Sequence, residues 1–69
     1  MNAVLNIVER VSQQNRVNEE RVERIANTQG ISADIVRSRA GEIAHSTALT
    51  YAEVLECFEQ GTMRILRAA

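Results

Sequence analysis

The sequence predicts a small all-α domain of four helices. Three observations carry this expectation. The chain has no proline and only three glycines. No useful stretch alternates apolar and polar residues at the period of a strand. A helix-start signal, a capping residue flanked by two apolar residues five positions apart, occurs three times.

The first helix is expected at about 3–14, where Val4, Leu5, Ile7, Val8 and Val11 form one broad apolar face. Val4, Val8 and Val11 continue at heptad spacing to Val22 and Ile25. The seam positions between them are Asn15 and Asn18, so a break is expected near 15–18. The second helix, about 19–28, starts with Asn18 as cap, Glu19 and Glu20 in the first turn where the helix dipole favours them, and Val17 against Val22. Gly30 ends it. The third, about 33–46, has Ser32 as cap, Asp34 in its first turn and Ile31 against Val36. The fourth, about 51–67, opens with a Thr50–Glu53 capping box and Leu49 against Val54. Gly61 is read as a weak point inside this helix, because Glu53, Glu56 and Glu59 precede it while Arg64 and Arg67 follow it, the order that suits one continuous dipole. The expected core is Val22, Ile25 and Ala26 from the second helix, Ile35, Val36, Ala40, Ile43 and Ala44 from the third, and Tyr51, Val54, Leu55, Phe58, Ile65 and Leu66 from the fourth.

With 69 residues the chain forms one domain, 1–69. Below about 70–80 residues a single core supplies only a few kcal/mol unless a disulfide, a metal or a second subunit helps. Cys57 is the only cysteine and cannot close an intrachain bridge. With His45 as the only histidine, a four-ligand zinc site is not available. No metal and no cofactor are expected. The broad apolar face of the first helix has two readings: Val4, Ile7, Val8 and Val11 meet a partner, or the small core needs the extra area; a homodimer is expected as an option, through the first or the fourth helix.

A net charge of −1 and a pI near 5.7 give no general basic field to attract nucleic acid or anionic lipid. All eight basic residues are arginine, which permits bidentate recognition of phosphate, carboxylate or guanine; a GC-rich genome produces the same bias. The opening residues lack the basic start of a signal peptide, and no run approaches the length of a spanning helix, so a cytoplasmic protein without a membrane partner is expected. Enzymatic chemistry is not expected. His45 has only its chain neighbours Ser46 and Thr47 beside it, Cys57 stands between Glu56 and Glu59, an unfavourable setting for a thiolate, and there is no phosphate-binding loop.

The stretch from Glu23 to Arg37 carries the sharpest local pattern. Ala26 and Gly30 are four apart, Ile31 follows, Ser32 caps the next helix, and Ile25 and Val36 are apolar. Over about residues 21–41 this resembles the helix-turn-helix family of DNA-binding proteins. There a small residue lets the second helix approach, and a glycine takes the left-handed conformation in the turn. Arg39 stands where a further apolar residue is usual, and Gly41 where a better helix former is usual. The resemblance implies a DNA-binding regulator reading DNA with the third helix through Ser32, Asp34, Arg37 and Ser38. Asp34 opposes phosphate unless it accepts a hydrogen bond from cytosine. The alternative is a protein-interaction module, an adaptor, assembly factor or small inhibitor, similar in layout to small ubiquitin-associated-type domains. Its contact surface would be the Glu53, Glu56, Glu59 strip or the apolar face of the first helix. One uninterrupted rod from the first residue to Gly30 is expected to be incompatible with both the turn and the recognition surface.

Overall fold

No glycine or proline interrupts the chain between Ala3 and Gln29. In the structure, a computed structural model describing residues 3–66 with side chains from Ile7 onward, this stretch is one helix, α1 (Ala3–Gln29). It is followed by α2 (Ala33–Ser46), α3 (Tyr51–Gln60) and an irregular tail to Leu66, with no strand among the described residues. The all-α expectation holds, but the described residues form three helices where four were expected.

Two expected boundaries are corrected. The break at 15–18 is absent. Asn18, expected to cap a new helix, instead accepts a hydrogen bond from Gln14 Nε2 one turn earlier (3.0 Å), and Val17, expected to staple the start, stands exposed. Cap-type residues favour a helix start only where the preceding backbone leaves the helix, and nothing here forces it to leave. At the other end, the last helix stops at Gln60 instead of continuing to 67. Gly61 takes φ +78°, and its amide and that of Thr62 donate to the carbonyls of Phe58 (3.3 Å) and Cys57 (3.0 Å). This Schellman geometry satisfies carbonyls that a dipole preference worth tenths of a kcal/mol could not outweigh.

α2 spans the expected residues. Ser32 Oγ accepts from the amide of Asp34 (3.1 Å), and the Thr50–Glu53 capping box forms at the start of α3. Gly30 ends α1 with φ +67°, and the Ile31 amide donates to the Ala26 carbonyl (3.1 Å). The turn therefore exists although α1 is a rod. The uninterrupted rod expected to overturn both the turn and the recognition surface is thus what forms, from Ala3 to Gln29, and the turn at Gly30 forms alongside it.

Each helix packs on the other two. The core is Val22, Ile25, Ala26, Val36, Ala40, Val54, Leu55, Phe58 and Ile65. Ile31, Ile43, Ala44, Leu49, Tyr51 and Met63 are partly buried against it. Ile35 and Leu66, expected in the core, are exposed. Once the chain leaves the helix at Gly61, the tail folds back and Arg39 Nε donates to the Ile65 carbonyl (3.0 Å), which places Ile65 inside and Leu66 outside. Arg39 also pairs with Glu42 (3.3 Å). A long side chain with a charged tip thus fills a position where an apolar one was expected.

Candidate functional site

Two surfaces compete: the outer face of α2, and the half of α1 that extends beyond the body.

On α2 the four residues expected to touch DNA lie on one stretch, and each has partners within the chain or a place beside Asp34. Ser32 is occupied as the helix cap. Arg37 is the centre of an ion cluster. Its Nε donates to both carboxylate oxygens of Glu19 (2.9 and 3.0 Å), Nη1 to Asp34 (2.7 Å), and Nη2 lies 3.7 Å from Glu23. The hydrogen bond to Glu19 leads the causes that raise the guanidinium pKa above its ordinary value, with the charges of Glu19, Asp34 and Glu23 adding to it. Every guanidinium nitrogen faces a carboxylate, and one positive charge sits among three negative ones. Asp34, with its side chain 91% exposed, meets Arg37 through one carboxylate oxygen. Ser38 shares a shallow depression with Asp34 of that cluster and with Ile35, Arg39, Glu42, Ile65 and Leu66. The side chains of Glu19 and Glu23 belong to α1, 18 and 14 residues before Arg37, a separation that no local pattern reveals.

The acidic strip of α3 is exposed, and its members have different partners. Glu53 is in the capping box. Glu59 clamps α1, with Oε1 3.2 Å from Arg21 Nε and Oε2 3.0 Å from Arg24 Nε. The first of these is an ionic contact off line for a hydrogen bond, since buried Arg21 Nε has no hydrogen-bond partner. Glu56 accepts from Gln60 (3.4 Å).

The extension of α1 is different. Ile7, Val8 and Val11 are 58, 54 and 55% exposed, and every described side chain from Ile7 to Val17 is exposed. The Val4 side chain lies outside the described residues. The seam of Val8, Val11, Asn15, Asn18, Val22 and Ile25 is continuous on one face of the rod. Its second half is covered by α2 and α3, and its first half by nothing among the described residues. The change occurs at Asn15 and Asn18, which with Glu19, Arg37 and Tyr51 line a shallow groove where α1 leaves the body. Burial is the leading cause that raises the Tyr51 phenol pKa there. At 1.5 Å per residue, residues 3–17 extend roughly 22 Å. The molecule is accordingly elongated, 53 × 25 × 19 Å.

Among the described residues no cluster of His, Cys, Asp or Glu is arranged to hold a metal ion, and no helix is long and apolar enough to cross a membrane. Cys57 is free and half-buried, and His45 is exposed in the last turn of α2. Comparison with protein-family models, curated proteins and solved structures yields no match to this chain.

Proposed function

We propose that this chain is a non-catalytic protein-interaction module that docks through the projecting half of α1. The observation that carries the reading is the uncovered half of the seam. Ile7, Val8 and Val11 are aligned on the face that becomes core fourteen residues later at Val22, yet nothing among the described residues covers them. An amphipathic helix offered in this way is a recurring means of binding another helix or an apolar groove. Its cost in solvent-exposed apolar surface is recovered when a partner covers it.

The test compares the chain with its Val8→Glu/Val11→Glu variant as bait after nuclease treatment. A stoichiometric protein partner retained by the first and lost by the second is expected. Equal retention by both would remove the role given to this face.

A second reading, a helix-turn-helix DNA-binding regulator, is favoured by the turn itself, with Gly30 left-handed and Ser32 capping α2. Against it stands the engagement of Arg37 by three carboxylates. A shift assay on random duplex DNA at low salt separates the readings. The interaction module leaves the duplex unshifted. Steeply salt-dependent binding that Arg37→Ala weakens and Val8→Glu/Val11→Glu does not would establish the DNA reading instead.

A further inference from the structure

We infer that the groove between α2 and the tail receives a basic amphipathic segment of a protein partner, a contact separate from the docking role proposed for α1. The groove holds about 300 Å³ and lies between α2 and the tail residues Ile65 and Leu66. It owes its shape to Arg39. The Nε–H of Arg39 donates to the Ile65 carbonyl (3.0 Å), which fixes the tail against α2 with Ile65 buried and Leu66 turned out. Ile35 also lines the groove, so two large apolar side chains, 41 and 56% exposed, stand in one open depression. Covering them is favourable.

The charge at the rim selects what covers them. Asp34, Ser38 and Glu42 follow one another every four residues along α2, which sets the two acidic residues roughly 12 Å apart along the helix axis. Asp34 Oδ1 meets Arg37 (2.7 Å) and Glu42 Oε2 meets Arg39 (3.3 Å), while the two acidic side chains are 91 and 63% exposed. Among the described residues the second oxygen of each carboxylate has no hydrogen bond or ion pair. Both arginines are already engaged, Arg37 by Glu19 and Glu23 as well as Asp34, and Arg39 by the Ile65 carbonyl and Glu42. The joined clusters therefore hold four carboxylates against two guanidiniums, an excess of two negative charges. Arg64 of the tail does not line the groove.

An apolar groove with an acidic residue towards each end is the complement of a segment that carries an apolar side chain between two cations eight helical residues apart. Such a segment buries Ile35 and Leu66 and pairs both free oxygens. A phosphate backbone meets repulsion at both ends and gains nothing from the apolar walls. A neutral apolar segment covers the carboxylates without pairing them.

The probe is a capped, alanine-rich helical peptide with lysines eight residues apart and a leucine midway, titrated into the isotope-labelled full chain. Two surface ion pairs and one leucine give weak binding, so the titration runs to about 5 mM. Amide shifts are expected at Ile35, Ser38, Glu42 and Leu66, falling as salt is added. The same peptide with glutamates for lysines is expected to move none of them. Asp34→Asn/Glu42→Gln should weaken binding about fivefold, and Leu66→Ser should weaken it too; all three positions are exposed, so the helical signal is retained. Val8→Glu/Val11→Glu should bind the peptide as the parent does, so this contact and the docking role of α1 stand or fall separately. No shift at the highest concentration, equal shifts with the glutamate peptide, or unchanged affinity in Asp34→Asn/Glu42→Gln overturns the proposal. Shifts of the same amides on adding random duplex DNA, or on raising the concentration of the chain alone, give the groove to nucleic acid or to a second copy and overturn it as well.

Discussion

Glu53 accepts a hydrogen bond from the Thr50 amide (2.8 Å), and its own amide donates to the Thr50 hydroxyl (3.1 Å). The bond from the Thr50 amide is the leading cause that lowers this carboxyl below its ordinary 4.5. A lowered folded value means that the charged form stabilises the fold above pH 4.5, and that this contribution is lost as pH falls through the folded value. Glu53→Gln should therefore melt below the parent at pH 7, and the gap should narrow below pH 4.5 in circular-dichroism melts. Gly61 gives a test with opposite signs for two structures. In a helix running to residue 67, Gly61→Ala would stabilise by about 1 kcal/mol. With Gly61 at φ +78° and no atom within 4 Å of an added Cβ, the backbone strain alone should destabilise by about 1–2 kcal/mol in urea unfolding. Both caps were legible from a few adjacent residues, because capping is local chemistry. The choice between a stop and a weak point at Gly61 was not. It depends on Ile65 reaching a core made by other helices.

Among the elements, α2 has the bounds expected of it: Ser32 marks its start, and in the structure Ser46 and Thr47 donate back to the Ile43 carbonyl at its end. α1 was divided because Val17, Asn18 and Val22 make a convincing start signal out of context. Helix propagation through Gln13, Gln14 and Arg16 costs little once a turn exists, whereas a break would free several backbone groups to be satisfied elsewhere. The heptad pattern visible in Val8, Val11, Val22 and Ile25 was the better guide. The projection should still be the least protected part of the rod, since its described side chains, Ile7 to Val17, are all exposed and a short helix without packing is marginal. In hydrogen exchange at concentrations that keep the chain monomeric, amides from Ile7 to Val17 should exchange far faster than those around Val22 to Ala26. Equal protection along α1 would mean that the projection has support the isolated chain does not contain.

At the scale of the molecule, the Cα radius of gyration is 13.6 Å, against about 11 Å for a globular chain of this length. The excess is the projection, so the stabilising contacts are concentrated in the remaining body. Six ion pairs join described residues, and they connect all three helices, but their side chains are at least 21% exposed. Pairs of this kind contribute about 0–1 kcal/mol each. Phe58, 2% exposed, stands on the other side of the comparison: truncating a buried phenylalanine to alanine costs about 3–5 kcal/mol. At roughly 0.05–0.15 kcal/mol per residue, the whole chain has only about 3–10 kcal/mol to lose. Phe58→Ala should therefore leave much of the population unfolded in water, while Arg24→Ala, which breaks the cleaner of the two bonds to Glu59, should shift the urea midpoint only slightly. A larger loss from Arg24→Ala than from Phe58→Ala would place the stability of this fold in its surface charges and not in its nine-residue core.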